Sequence, residues 1–181
     1  MYKEYLVLWI WGLIVLGLLF LYFYFLTPLF FKKKKAPYIS SFDRSLNLMK
    51  FLEIKPHTTL IDLWCGDGKA LRFFVKEFNL KQATGYDINR FALSLWRILN
   101  KRGKIWNITL IKSDFLKANL KDYDYIYIYL RAEQMEKIEN RVFENKKEDA
   151  VIISNTFKFK EHIPFKIIQN KQGFDAVMLY K

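Results

Sequence analysis

The chain has 181 residues, enough for one compact domain with an appendage. It is 52% hydrophobic and 18% aromatic, which excludes a disordered chain; a single cysteine excludes an internal disulfide framework; and two distant histidines, His57 and His162, argue against a structural zinc site. The net charge of +12, from 30 Lys+Arg against 18 Asp+Glu, calls for an anionic partner: nucleic acid, an acidic protein face or a membrane surface.

The chain opens on "YLVLWIWGLIVLGLLFLYFYFLTPLFF", residues 5–31, which carries no charge. A spanning helix needs roughly 20 apolar residues, and this run exceeds that. Its exit is bulky and then basic, unlike the small-residue exit of a cleaved signal, so the spacing predicts a retained transmembrane helix. No face of it is polar, which sets it apart from a buried core helix. Lys32, Lys33, Lys34 and Lys35 follow directly, whereas only Lys3 and Glu4 precede it. The positive-inside bias then places the C-terminal part in the cytoplasm on a single-pass membrane protein. The lysines can also attract anionic headgroups, and as a plain stop-transfer flank they are equally well explained. The expected division is an anchor with basic flank over 1–35 and a globular domain over 36–181.

After the connector "APYISS" (36–41), apolar residues at Phe42, Leu46, Met49 and Leu52 fall at helical spacing, with Ser41 or Asp43 at the start. "KPHT" (55–58) ends that helix. Strands and helices then alternate. "TLIDL" (59–63) reads as a buried strand. "GKALRFFVKEFN" (68–79) reads as a helix with Leu71, Phe74, Val75 and Phe78 on one stripe. "QATGYD" (82–87) is a second strand, and 89–103 a helix stopped by Gly103. "WNITLIKSD" (106–114) and "YDYIYIYL" (123–130) are the third and fourth strands, and 133–145 is a further helix. "DAVIIS" (149–154) is the fifth strand. "FKIIQ" (165–169) and "DAVMLYK" (175–181), joined through "NKQG", read as a closing antiparallel pair. The alternation implies an α/β fold with a parallel sheet, made mixed by the final hairpin. Ligands of such sheets bind outside the carboxyl ends of the strands, at the topological switch point. The 64–68 loop, Asp87 and Asp114 all fall at such ends.

The first strand ends "DLWCGDG". Gly66 and Gly68 allow close backbone approach and a sharp turn into a helix. No Lys-Ser/Thr pair follows the second glycine, so this is not a P-loop, and it is not a full G-x-G-x-x-G. Asp87 lies about 20 residues beyond, where a carboxylate can accept both hydroxyls of a ribose. Asp114 could accept from an adenine amino group. Together they describe a nucleoside pocket without a pyrophosphate cradle. Taken singly, Asp87 is also readable as a helix cap, Asp114 as a turn residue and Cys65 as a small core residue.

This pattern resembles class I S-adenosylmethionine-dependent methyltransferases, whose Rossmann-like sheet carries a C-terminal antiparallel hairpin. The acid and glycine-rich first motif of that superfamily falls on Asp62, Leu63, Trp64, Cys65, Gly66, Asp67 and Gly68. The second falls on "GYDIN" (85–89), with Asp87 as the ribose acid and Ile88 beside it. The third falls on "KSDFL" (112–116), with Asp114 and Phe115 at the adenine. The end of "YDYIYIYL" would face the methyl acceptor. The resemblance covers residues 42–181 and implies S-adenosyl-L-methionine as cofactor.

The N-terminal span, the basic stretch, "PYISS" and "DYIYIYLRAEQMEKIE" also resemble membrane-anchored protein-lysine methyltransferases, including those of the ATP-synthase c-subunit and the adenine nucleotide translocase. Pro37, Tyr38 and Ile39 match that family's aromatic element past the span. Where it often has Leu-Pro-Glu, this chain has Arg131, Ala132 and Glu133. The resemblance implies a membrane-protein lysine as acceptor, with Tyr129 and Tyr38 lining its pocket. The alternative for Tyr129 is a place in an aromatic buried strand. The competing functions are a non-catalytic membrane-tethered binding or scaffold module and a nucleic-acid or small-molecule methyltransferase. Nucleic acid is disfavoured because "YLRA" (129–132) stands where an N-P-P-[YF] element would be.

Trp64 occupies the position of the first glycine, which normally lies against the cofactor. The loop can be shifted so that the indole points away; the site can be dead; or codon 64 can be UGA, read as tryptophan in one variant code and glycine in another. Abundant Lys, Asn, Ile, Phe and Tyr suit the AT-rich genome that the last reading requires, and Trp106 also sits where glycine would be comfortable.

Overall fold

The computed structural model describes residues 2–30, 43–90, 92–94, 105–170 and 175–181. The chain forms two compact units, Met1–Pro37 and Tyr38–Lys181. In the first, helix α1 (Tyr2–Phe30) carries its described side chains, Tyr5 and those of residues 8–22, exposed. Among the described residues no helix is long and apolar enough to cross a membrane. Lys32, Lys33, Lys34, Lys35, Pro37, Tyr38 and the rest of the connector lie outside the described residues.

The second unit is built on a seven-stranded sheet. Helix α2 (Asp43–Met49) leads in, and β1 (Thr59–Asp62), α3 (Lys69–Phe78), β2 (Gln82–Asp87) and β3 (Ile108–Lys112) follow. Then come β4 (Tyr125–Ile128), α4 (Ala132–Asn145), β5 (Val151–Asn155), β6 (Lys166–Gln169) and β7 (Ala176–Tyr180). The strand order is β3-β2-β1-β4-β5-β7-β6. The first five strands are mutually parallel, and β7 enters antiparallel between β5 and β6. The direction of winding reverses between β1 and β4, so their carboxyl ends form the switch point where such sheets bind ligands.

The tyrosines of β4 explain how one strand serves two cores. Strand side chains alternate between faces. Tyr125 and Tyr127 therefore join Leu60, Cys65, Leu71, Phe74 and Ala83 on the α2/α3 face, with Tyr129 packed at its margin. Ile126, Ile128 and Leu130 join Ile61, Met135, Ile138 and Val142 on the α4 face. In α3 the expected stripe is buried at Leu71, Phe74 and Val75, with Phe78 half-buried.

Several ends differ from expectation. The third strand, Ile108–Lys112, is shorter than 106–114; before it Trp106 is exposed, and Asn107 donates from its side chain to the Leu80 carbonyl at 2.7 Å while its own carbonyl accepts the Ala83 amide at 2.9 Å. The fourth covers only the four central residues of 123–130, since Asp124 turns to accept from the Thr59 amide at 3.0 Å. Of the expected 89–103 helix, residues 90 and 92–94 are helical and Asn89 accepts the Leu93 amide at 3.2 Å; 95–103 lie outside the described residues, as do 171–173 of the hairpin connection.

Candidate active site

The turn after β1 is tied to the sheet by its own carboxylates. Asp62, at the end of β1, is fully buried and accepts the Trp64 amide at 3.0 Å. Burial, partly opposed by that hydrogen bond, pushes its carboxyl up to about 8. The chain then bends through Gly66 and Gly68 at φ 54 and 71, a left-handed backbone that favours glycine. Gly68 donates to the Cys65 carbonyl at 2.8 Å, and α3 starts immediately after. Asp67 pairs with Arg72 at 3.2 Å and accepts the Lys69 amide, which locks the turn onto the first turn of α3.

Asp87 is the hub. It lies at the end of β2, buried, with Oδ2 accepting the Gly66 amide at 2.9 Å and Oδ1 the Asn89 amide at 2.7 Å. Burial raises its pKa, and the backbone donors oppose that rise. A carboxylate offers about four acceptor sites, so beyond the Gly66, Asn89 and Ile88 amides Asp87 keeps some acceptor capacity. Cys65 closes the floor: its amide donates to the Tyr86 carbonyl at 3.0 Å, and its side chain packs against bare backbone at Gly85. A Cβ at Gly85 would stand 2.6 Å from Cys65 Cβ and Sγ and from Leu110 Cδ2. Burial and the neighbouring carboxylates of Asp62 and Asp87 drive the Cys65 thiol well above its ordinary pKa, so it is an inert packing group.

Ile88 follows β2, half-buried. Asp114 sits past β3 as an exposed cap, Oδ1 accepting the Leu116 amide at 2.9 Å and opening the short helical turn Phe115–Lys117. Phe115 is half-buried and its ring lies 5.7 Å from that of Trp64. Trp64 itself is not in the left-handed region, which only Gly66 and Gly68 adopt in this turn. The backbone therefore accepts a side chain at the first glycine position, and the indole lies on the α4 face with Phe115. Asp62, Trp64, Gly66, Asp87 and, through Trp64, Phe115 are thus brought together at one end of the sheet.

Tyr129 lies one residue past β4, half-buried; burial first and the charge of Asp175 second raise its pKa, so the phenol stays neutral. Tyr38 lies outside the described residues. Three residues unmarked in the sequence stand near this end of β4 and β5. Asn155, buried, donates from Nδ2 to the Tyr127 hydroxyl at 3.0 Å and accepts the Thr156 hydroxyl at 3.1 Å. Thr156 has φ 71, and the Phe157 amide folds back to the Asn155 carbonyl at 2.9 Å, making a three-residue turn. Asp175 precedes β7. A chain of Asn, Thr and Asp at the ends of strands has no motif to announce it.

A left-handed glycine turn facing a buried carboxylate with spare lone pairs, beside an aromatic pair, fits an adenosine moiety. Solved structures share the architecture. An RNA methyltransferase of Salinibacter ruber in complex with S-adenosyl-L-homocysteine aligns with TM-score 0.72 at 15% identity, covering 78% of this chain and 92% of that one. A ribosomal protein L11 methylase of Lactobacillus delbrueckii subsp. bulgaricus aligns at 0.64 and 15%, covering 77% and 79%. In sequence, a protein-lysine N-methyltransferase of Saccharolobus islandicus is 22% identical over 141 residues, 76% of this chain and 87% of that protein. Residues 62–166 match the ANTKMT methyltransferase domain, from the acid that ends β1 to the start of β6. The chain belongs to that family and is an S-adenosylmethionine-dependent methyltransferase.

Proposed function

We propose that the enzyme methylates lysine side chains of membrane proteins, held at the cytoplasmic face of a bilayer by its N-terminal helix. The observation that carries the lysine reading is the carboxyl end of β4, where a neutral, half-buried phenol, Tyr129, borders the switch point. The protein-lysine activity of the Saccharolobus relative supports it.

When bound, S-adenosylmethionine supplies a methyl group already electrophilic on sulfur. The protein then has to hold the cofactor and align a neutral amine with it. Asp87 would take the ribose hydroxyls on its free lone pairs, with Ile88 beside it. The Gly66–Asp67–Gly68 turn would pass under the ligand, and Asp114 and Phe115 would border the base, with Trp64 backing Phe115. Asp62 and Cys65 hold the turn from beneath. A partly desolvated pocket lowers the pKa of an entering lysine and favours the nucleophilic form. Tyr129 would orient that amine, and Tyr38 would line the same pocket.

Membrane attachment is supported by the charge-free run 5–31 and the following Lys32, Lys33, Lys34 and Lys35. A six-residue connector (36–41) reaches at most ~20 Å, so tethering would raise the effective concentration of membrane substrates alone.

Calorimetry with S-adenosylhomocysteine tests the cofactor assignment. Asp87→Ala should lose about 1.5–3 kcal/mol of binding as charge-assisted hydrogen bonds disappear. Unchanged affinity in the folded variant removes Asp87 from the pocket. Trp64→Gly in the same assay separates an accommodated indole, which leaves affinity similar, from a blocking one, which glycine would relieve. A UGG codon at 64 ends the variant-code reading.

A further inference from the structure

The rim formed by β4, β5 and β7 is more constrained than a loop cluster needs to be. Residues 155 and 177 are paired across β5 and β7, which puts the start of β7 beside the end of β5. There Thr156 donates its amide to the Ala176 carbonyl at 2.8 Å. A β-branched residue at φ 71 is a true outlier and persists only where its surroundings over-determine it. They do so here: Asn155 is gripped at both ends of its amide, by Tyr127 and by Thr156. The result is a fixed corner at the carboxyl end of β5, directly against the first residues of β7.

Asp175 stands at that corner. It is half-buried, its carbonyl accepts the Asn170 amide at 3.2 Å, and its Oδ2 accepts from Asn170 Nδ2 at 3.4 Å. The registers Ile128–Ser154 and Asn155–Val177 put Tyr129, one residue past β4, and Asp175, just before β7, at the same end of the sheet, and the charge of Asp175 adds to burial in raising the Tyr129 pKa. A carboxylate with one long side-chain hydrogen bond keeps acceptor capacity. A half-buried carboxylate beside a neutral phenol suits an alkylammonium group, which needs a counter-charge on arrival and a hydrogen-bond partner once its proton has left for solvent.

We propose that Asp175 is the acceptor-specificity residue of this enzyme: its carboxylate, next to the Thr156–Ala176 corner and bonded by Asn170, draws the protonated lysine side chain to Tyr129. This rests on the lysine reading above. Arg131, exposed at the start of α4, gives the same rim a positive neighbour. Acceptors whose lysine is flanked by an acidic residue would therefore be preferred over those in wholly basic runs.

The test uses full-length enzyme, tritiated S-adenosylmethionine and the membrane fraction of cells lacking the gene, with label assigned by amino-acid analysis after hydrolysis. The wild type is expected to label lysine. Asp175→Asn, which is isosteric and keeps the Asn170 contact, is expected to raise the KM for membrane acceptor about tenfold. Its S-adenosylhomocysteine affinity should stay within about twofold, and Asp175→Glu should recover part of the loss. The charge effect should also shrink as salt rises. An unchanged KM in Asp175→Asn overturns the inference and leaves the lysine reading standing. A parallel loss of S-adenosylhomocysteine affinity overturns it by showing a structural role. Wild-type label on atoms other than lysine nitrogen removes the lysine reading, and the inference with it.

Discussion

Asp62→Asn should change the pH dependence of folding more than any other isosteric substitution in the site. Burial holds the Asp62 carboxyl at about 8, against an ordinary value of 3.8. Between those values the folded chain carries a proton that the unfolded chain has released. The stability contributed by neutral Asp62 is therefore complete below pH 3.8 and is lost as pH rises toward 8. One linked proton is worth about 1.36 kcal/mol per pH unit, so the wild type should lose about 2 kcal/mol from this group between about pH 5.5 and 7. Asparagine cannot titrate, and its side-chain oxygen can still accept the Trp64 amide. Asp87, also raised by burial, remains in both proteins and largely cancels in the difference. Urea unfolding of the full-length protein in mild detergent, followed by tryptophan fluorescence at a series of pH values, measures this. The stability of Asp62→Asn relative to wild type should climb by about 2 kcal/mol across that window. Parallel curves would show that Asp62 is ionised in the folded protein, and the buried-acid description of the turn would be wrong.

Gly85→Ala should destabilise by about 1–3 kcal/mol, because its Cβ would stand 2.6 Å from Cys65 Cβ; adding Cys65→Ala should not rescue it, since that Cβ remains. Tyr127→Phe should cost about 1–3 kcal/mol in denaturant unfolding by stranding the buried Asn155 amide, and nuclear magnetic resonance of the Thr156 amide should report loosening of the corner. Glu139→Gln should cost about 2–3 kcal/mol, since the buried carboxylate accepts the Lys160, Glu161 and His162 amides at 2.8–3.0 Å and meets the His162 ring at 2.8 Å. Burial pushes Glu139 up, but these partners bring it below its ordinary 4.5, so its contribution is present above that value and is lost in acid. Limited proteolysis of 157–165 at about pH 3 and 7 follows that loss in the wild type.

The sheet was legible because strand periodicity and acid-terminated strands speak to the same elements. "YDYIYIYL" is the clearest case: its tyrosines and its aliphatic residues sort onto opposite faces, as a period of two requires. The glycine turn was legible too, since Gly66 and Gly68 take the backbone that other residues avoid. Trp64 was less so: its identity raised a steric conflict with the cofactor, and the structure adds that its backbone lies outside the left-handed region and that its ring stands 5.7 Å from that of Phe115. The β5–β7 corner was silent for the opposite reason. Threonine is among the residues least suited to φ 71, so nothing local in "ISNTF" announces the turn. Its stability comes from Tyr127, Asn155 and Ala176, contacts made only once β4, β5 and β7 have assembled. The side-chain hydrogen bonds of Asn107 and Asp124 to distant backbone beside the strand ends escaped in the same way.

The central claim, methyl transfer to lysines of membrane proteins, is tested most directly by comparative mass spectrometry of membrane proteins from parent cells and cells lacking this gene. The account expects one or more membrane-protein lysines near the cytoplasmic headgroup level to be methylated in the parent, unmodified in the deletion, and restored by wild-type enzyme but not by Asp87→Ala. Identical lysine methylation in the two membrane proteomes, or a lost methyl group that maps to RNA or to a soluble protein, would contradict it.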